Sequence, residues 1–201
     1  MKVIGLTGGI GTGKSTISQY LAELGAVIID ADKVGHEAFE PGTPAYKEVV
    51  AIFGKEIVSP TGEIDRKKLG GIVFSNPEAL DRLNKIMHTR MRTMIEERLE
   101  KYRQQDVGVA VVEAAILIEA DWTSLVDEVW VIVSPEATVL KRVKEQRGQT
   151  EEQTLSRIRT QLPNEIRLKY ANVVINNDGN LDEVKKKVKE LWEKLIDKSS
   201  R

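Results

Sequence analysis

A glycine-rich octamer near the N-terminus constrains the fold of this chain more than any other feature. Residues 8–15 read GGIGTGKS, which satisfies the pattern G-x-x-x-x-G-K-[ST], directly after the apolar run 3–6 and before an amphipathic segment. Glycines let successive backbone N–H groups turn toward one anion, and a helix that begins there adds the positive end of its dipole. Residues 8–15, the phosphate loop, are therefore predicted to bind phosphate between a strand and a helix, rather than to form a turn without a ligand.

Two side chains of the phosphate loop carry its expected chemistry. Lys14 is predicted to reach the β- and γ-phosphates of a nucleoside triphosphate as a mobile point charge, which makes it a catalytic residue. The Ser15 hydroxyl is predicted to ligate Mg²⁺, while water and phosphate supply the other contacts. ATP, as a substrate, and Mg²⁺ are thus the expected cofactors.

Short apolar runs alternate with longer segments of helical period along the chain. The candidate strands are residues 3–6, 27–29, 109–112, 129–133 and 173–175. Their apolarity is continuous, which is typical of strands covered by helices on both faces. This pattern predicts an α/β fold with a doubly wound, five-stranded parallel sheet. The apolar face of the last helix is predicted to contain Leu181, Val184, Val188, Leu191 and Leu195.

No buried strand is predicted between about residues 32 and 106. Helical segments with recognisable start signals fill this stretch: Asp65 is a predicted N-cap, and Ser75 is a predicted N-cap for a helix with Pro77 in its first turn. The stretch is interpreted as a helical insertion subdomain within a single domain of residues 1–201, because no repeat or low-complexity linker separates it.

Composition excludes several classes of function. The 201 residues include no cysteine, and 30 basic residues balance 31 acidic ones for a net charge of −1. A disulfide scaffold, a thiolate metal site and a cysteine nucleophile are thereby excluded, and no overall field favours a nucleic-acid partner. No segment approaches the roughly 20 apolar residues that span a bilayer. The protein is therefore expected to be cytoplasmic, without a membrane partner; its oligomeric state is not predicted.

Carboxylates follow two of the candidate strands, at the edge of the sheet where ligands of such folds bind. Asp32 is interpreted as a general base that accepts the proton of an attacking hydroxyl, with helix capping as the alternative. For Asp30, capping is the favoured interpretation. Glu113 ends the run 109–112, where a second acidic group can order Mg²⁺ through water.

Basic residues concentrate between residues 141 and 169. This stretch holds eight basic and four acidic residues, a local charge of +4 in a nearly neutral chain. Arg142 and Arg147 lie near one helix end, and Gly148 and Thr150 are predicted to end that helix and begin the next. We interpret residues 141–169 as a lid that brings arginines to a transferring phosphate. A solvated helix face is the alternative.

Several segments, taken together and in order, resemble the dephospho-CoA kinase family. They are residues 7–16, 30–32, 69–74, 83–88, 113–119, 133–136, 157–161 and 174–177. The octamer is shared by many enzymes, whereas Asn-x-x-x-His in 83–88 and Val-Ile-x-Asn in 174–177 are narrower. The resemblance implies a P-loop kinase-type fold, and transfer of the ATP γ-phosphate to the 3′-hydroxyl of the dephospho-CoA ribose with Mg²⁺, the last step of CoA synthesis.

The resemblance also implies roles for individual residues. ATP would be bound by Gly11, Thr12, Gly13, Lys14, Ser15, Thr16, Arg142, Arg147, Asn176 and Asn177. Lys14, Asp32 and Arg142 would be catalytic, and Arg157 and Gln161 would lie in the following lid helix. Dephospho-CoA would be bound by Asp32, Arg66, Leu69, Phe74, Asn84, His88 and Glu113. Thr89 stands where the family commonly has proline, which has a fixed φ that threonine lacks.

Two alternatives stay open at this point. A P-loop kinase for another small acceptor, such as a nucleoside monophosphate or shikimate, would share the loop, the Asp-x-Asp and the arginine lid. A nucleotide switch or a nucleic-acid-binding ATPase would hydrolyse ATP without an acceptor. The guanine-reading pattern Asn-Lys-x-Asp is absent from the sequence, and the basic residues cluster on the lid instead of along a groove.

Overall fold

The computed structural model describes residues 1–199, and five strands in this range form a parallel sheet. They are β1 (Lys2–Gly8), β2 (Val27–Asp30), β3 (Val109–Glu113), β4 (Glu128–Val133) and β5 (Val173–Asn176). Their order is β2-β3-β1-β4-β5. β1 pairs in parallel with β3 and β4, and β4 pairs in parallel with β5. The predicted α/β class and all five predicted strands are confirmed.

The helices lie between and after the strands. They are α1 (Lys14–Glu23), α2 (Ala31–Ala38), α3 (Pro44–Phe53), α4 (Arg66–Val73), α5 (Pro77–Gln104), α6 (Glu136–Arg147), α7 (Glu151–Thr160), α8 (Asn164–Arg167) and α9 (Leu181–Ser199). Over residues 1–199, no helix is both long enough and apolar enough to cross a membrane.

The chain divides into two compact units. One contains Met1–Ile29 and the described residues from Lys101 onward, and the other contains Asp30–Glu100. The first unit is built around one apolar cluster, in which Ile4 and Leu6 of β1 pack with Ile17 and Leu21 of α1 and with Trp130 of β4. Because β1 is the central strand, the phosphate loop that follows it lies at the middle of the carboxyl edge of the sheet.

The apolar face of α9 follows the prediction with one exception. Val184, Val188 and Leu195 are buried in the main cluster, and Leu191 packs against it. Leu181 is 46% exposed, so its predicted place in the buried face is wrong. Leu181 is the first residue of α9, and it borders a cavity next to the phosphate loop instead of reaching the core.

The second unit is helical, and two of its helices, α4 and α5, begin near predicted cap residues. Asp65 caps α4 by accepting hydrogen bonds from the backbone N–H groups of Lys67 and Lys68, as predicted. The predicted cap Ser75 is wrong, because Asn76 caps α5 through its side-chain oxygen. The Ser75 hydroxyl instead donates to the Gly71 carbonyl, and so it completes the end of α4.

Candidate active site

The phosphate loop turns at glycines with positive φ. Gly11 and Gly13 have φ values of 68° and 93°, a region that a side chain makes unfavourable. Gly13 is the N-cap of α1, and no side chain caps this helix. The first N–H groups of a helix lack intrahelical acceptors, so an uncapped α1 is suited to an anion at its N-terminus.

Lys14 lies across the phosphate loop. Its Nζ donates to the carbonyl oxygens of Gly8 and Gly9, at 2.9 and 3.1 Å. These contacts hold the ammonium over the loop carbonyls, on the side of the cavity that Lys14 itself lines. A positive charge thus lies beside the loop.

Ser15 and Glu113 come together from neighbouring elements. The β1–β3 register places Glu113 beside Leu6, two residues before Gly8, and the Ser15 hydroxyl donates to Glu113 Oε1 at 2.9 Å. Hydroxyl and carboxylate oxygens are ligands suited to Mg²⁺. Among residues 1–199, no group of three or more histidine, aspartate or glutamate side chains could hold a metal. A metal here would need further oxygen ligands, such as phosphates and water.

A cavity of about 410 Å³ collects most of the residues predicted to bind ATP. Those that line it are Gly11, Gly13, Lys14, Ser15, Thr16, Arg142, Arg147 and Asn177. Gly179 and Leu181 form part of its wall. Two predicted residues lie elsewhere: Thr12 is buried, and Asn176 is the exposed last residue of β5.

Asn177 connects the phosphate loop to Arg142. Its Nδ2 donates to the Thr12 carbonyl at 2.7 Å, while its backbone carbonyl and its Oδ1 accept from Arg142 Nη1 and Nη2, at 2.9 and 3.2 Å. The Thr12 hydroxyl donates to the Gly9 carbonyl within the loop. Thr12 and Asn177 therefore brace the loop, and Arg142 is held in the same network.

The lid contains the helix boundary that the sequence predicts. Gly148 ends α6 with a φ of 62°, and Thr150 caps α7 through a reciprocal pair of hydrogen bonds with Gln153. Arg147 and Arg157 line an open groove on the lid. Both predicted boundary residues are confirmed.

Arg167 is a buried arginine that nothing in the sequence distinguishes from the other basic residues of segment 141–169. Its guanidinium donates to Asn164 Oδ1 at 3.1 Å, and Nη2 lies 3.7 Å from Glu119 Oε1. Arg167 is 1% exposed, and its Nε and Nη2 make no hydrogen bond within the described residues. Burial lowers the pKa of Arg167, and the Glu119 carboxylate opposes this shift.

Asp30 and Asp32 take different positions at the start of α2. Asp30 caps the helix by accepting from the N–H groups of Asp32 and Lys33, which confirms the capping interpretation. The capping alternative for Asp32 is wrong, because the helix begins at Ala31 and Asp32 lies exposed in its first turn. Its carboxylate is therefore open to solvent, as a base for an incoming hydroxyl would need to be.

The remaining predicted acceptor residues lie in the second unit. Arg66 stacks over the Phe39 ring, with its guanidinium carbon 5.8 Å from the ring centroid. Phe74 is 82% exposed, whereas Leu69 is buried and leaves little of its side chain for a substrate. Asn84 and His88 lie on α5, the first exposed and the second half-buried.

The helix α5 is not interrupted where the family commonly has proline. It runs through Thr89 without a break, and the Thr89 hydroxyl donates to the Lys85 carbonyl at 2.8 Å. The departure from the family pattern is thus accommodated inside a regular helix.

A glycine loop that leads from the central strand of a parallel sheet into an uncapped helix is the phosphate-binding arrangement of P-loop proteins. The shikimate kinase of Bacteroides thetaiotaomicron shares this fold, with a TM-score of 0.55 at 16% identity over 97% of this chain and 98% of that one. The fold is therefore of the P-loop kinase type.

Closer comparisons identify the family. The dephospho-CoA kinase family model matches residues 2–183. The dephospho-CoA kinase of Geobacter sulfurreducens is 45% identical over 194 residues, which cover 96% of this chain and 98% of the relative. The solved dephospho-CoA kinase of Campylobacter jejuni has a TM-score of 0.74 at 27% identity, with 100% of both chains covered. The chain belongs to the dephospho-CoA kinase family.

Proposed function

We propose that this protein transfers the γ-phosphoryl group of ATP to the 3′-hydroxyl of the dephospho-CoA ribose and so forms CoA. Membership of the dephospho-CoA kinase family over residues 2–183 is the observation that carries this conclusion. The phosphate loop and the cavity beside it are suited to the triphosphate of ATP. A cytoplasmic location and the lack of a nucleic-acid partner stay predictions from composition.

Catalysis of phosphoryl transfer rests on positioning and on the stabilisation of charge. Lys14 lies where it can follow the β- and γ-phosphates, because its ammonium is already held over the loop. Arg142 supplies a second cation whose guanidinium is fixed by Asn177. With both cations, negative charge that develops between donor and acceptor is stabilised.

Ser15 and Glu113 are suited to Mg²⁺ because they present a hydroxyl and a carboxylate oxygen 2.9 Å apart at the loop. Ser15 would ligate the ion, and Glu113 would orient its water. Mg²⁺ in such sites keeps several waters and takes the remaining ligands from substrate phosphates. When bound, the ion neutralises phosphate charge.

Asp32 is the proposed general base. Its carboxylate would accept the proton of the 3′-hydroxyl while that oxygen bonds to the γ-phosphorus, and ADP leaves with the electrons of the broken bond. Arg66, Phe74, Asn84 and His88 are proposed to form the acceptor side. Exposure of Asp32 and of the Phe74 ring supports these roles, since both are open to a ligand.

The test is a parallel assay of ADP release with ATP-Mg²⁺ and one of four acceptors: dephospho-CoA, AMP, CMP or shikimate. Rapid turnover is expected with dephospho-CoA, with little ADP release in its absence, because a kinase site excludes water before transfer. Faster turnover with another acceptor would assign the protein to a different kinase activity. Equal ADP release with and without acceptors would indicate an ATPase.

A further inference from the structure

Ile10 joins the phosphate loop to the lid helices through its side chain. Its side chain is 8% exposed and packs with Val139 and Val143 of α6 and with Ile158 of α7. This small cluster is separate from the main apolar core around the sheet. The loop residue thus has its apolar partners on both lid helices.

Gln161 adds a hydrogen bond to the backbone of the same residue. The Ile10 N–H donates to Gln161 Oε1 at 2.8 Å, across 151 residues of sequence. Gln161 is the C-cap of α7 and not a residue within that helix, as the resemblance implied. Its own N–H donates to the Ile158 carbonyl at 3.2 Å, which fixes its backbone. The side chain therefore reaches the loop from a defined position at the end of the lid helix.

The space around Gly9 and Gly11 is limited by the residues that pack on the loop. A Cβ on Gly9 would lie 3.4 Å from Gln161 Oε1, and a Cβ on Gly11 would lie 2.7 Å from Val143 Cγ2. Gly9, Ile10 and Gln161 line a cavity of about 140 Å³ that is distinct from the one lined by Lys14. Gln161 therefore holds the loop from outside the proposed nucleotide cavity.

We infer that Gln161 is a positioning residue for ATP, acting through the Ile10 amide. A partly buried N–H needs an acceptor, and here the acceptor is supplied by the lid. The bond fixes the loop backbone just before Gly11 and Gly13 and ties it to the segment that holds Arg142. ATP affinity at the loop then depends on a side chain that does not contact the nucleotide. The assignment rests on the proposed kinase function.

Gln161→Met tests this inference, because methionine keeps the length of the side chain and removes the acceptor oxygen. We expect about 5-fold weaker ATP binding by calorimetry in Gln161→Met, a size typical of one lost hydrogen bond. KM for ATP should rise in parallel, while KM for dephospho-CoA stays unchanged.

Gln153→Met is the matched control. Gln153 Oε1 accepts the Thr150 N–H at the other end of α7, so the same chemical change destabilises the same helix without touching the loop. Its ATP affinity should match the parent, even where its Tm falls as much as that of Gln161→Met. Equal losses of ATP affinity in both methionine variants, or parent-like affinity in Gln161→Met, would overturn the inference.

The binding data separate this inference from the proposed function. Weaker ATP binding confined to Gln161→Met, in a protein that transfers no phosphate to dephospho-CoA, would refute the function and keep the positioning role. Parent-like ATP affinity in Gln161→Met, in a protein that does transfer phosphate to dephospho-CoA, would refute the positioning role alone.

Discussion

At the residue scale, cations beside the phosphate loop are held by different means. Lys14 is tethered by two loop carbonyls that a phosphate can replace as its partners, so it can follow charge as that charge moves. Arg142 is fixed because two of its guanidinium nitrogens donate to Asn177. Arg167 is buried, and the Glu119 carboxylate lies near its guanidinium. These differences predict different consequences when each is removed.

Replacing Lys14 by alanine removes the mobile charge next to the β- and γ-phosphates. We expect the rate of transfer to dephospho-CoA to fall by about 10²-fold or more, while the Tm without ligand changes little because Lys14 is partly exposed. Steady-state kinetics and thermal unfolding measure the two effects. Near-normal turnover would remove Lys14 from the proposed phosphate contact.

Asp32→Asn tests the general base. The variant should lower kcat by on the order of 10² with little change in ATP affinity, because the amide cannot accept the proton but keeps the shape of the side chain. Asp32 is exposed and does not cap α2, so folding should be unaffected. Parent-like kcat at saturating substrates would exclude Asp32 from proton transfer.

Glu119→Gln tests the environment of Arg167. The buried guanidinium would lose its nearby carboxylate, and the free energy of unfolding is expected to fall by about 1–3 kcal/mol. In an Arg167→Met background the same change should cost less than about 0.5 kcal/mol. Urea unfolding measures both backgrounds, and equal losses in the two would show that the pair is not coupled.

The lowered pKa of Arg167 has a defined sign for stability. Burial disfavours the protonated form, so the folded state is destabilised at every pH below this lowered pKa. That penalty would be relieved only as the pH rises through that value toward the pKa of an unfolded arginine. Arginine remains protonated around neutral pH, and Arg167 therefore adds no pH dependence to stability there.

At the element scale, the lid helix α6 packs directly on the phosphate loop. Gly11→Ala should destabilise the protein by roughly 1–3 kcal/mol, because alanine at a φ of 68° is strained and its methyl group would press on Val143. Weaker ATP binding should accompany the lower Tm. Gly71→Ala is the control: its Cβ would meet nothing within 4 Å, and α4 should become slightly more stable. Equal Tm values for the parent and Gly11→Ala would contradict the packing argument.

The sequence predicts the strands and the phosphate loop because a local pattern of residues determines each of them. Continuous apolar runs located every strand, and the octamer located the phosphate loop. Leu181 is predicted in the buried face of α9 because helical periodicity does not show at which residue a helix leaves the core. The cap of α5 was assigned one residue early because Ser75 and Asn76 are both good caps, and the contact of Ser75 with Gly71 decides between them.

Long-range contacts in the candidate site could not be predicted. The Ile10–Gln161 hydrogen bond joins residues 151 positions apart, and no spacing rule encodes it. Arg167 was missed because polarity suggests the opposite arrangement: Ile166 and Leu168 on either side of it are 40% and 39% exposed, while the arginine is buried. Tertiary packing overrides local preference at both positions.

At the scale of the whole molecule, strand order explains why the loop is the centre of the site. The chain leaves β1 for β2 on one side of the sheet, and later crosses from β3 to β4 on the other side of β1. The connections therefore diverge at the carboxyl end of β1, where open parallel sheets bind ligands. The fold determines where phosphate binds, whereas the identity of the acceptor follows from the family and not from the fold.

The most direct test of the central claim identifies the product. The protein is incubated with ATP, Mg²⁺ and dephospho-CoA, and the mixture is followed by ³¹P NMR. A phosphomonoester signal from the ribose 3′-position should grow in a one-to-one ratio with ADP. Formation of ADP with inorganic phosphate alone, or a phosphorylated product at another position, would contradict the assignment.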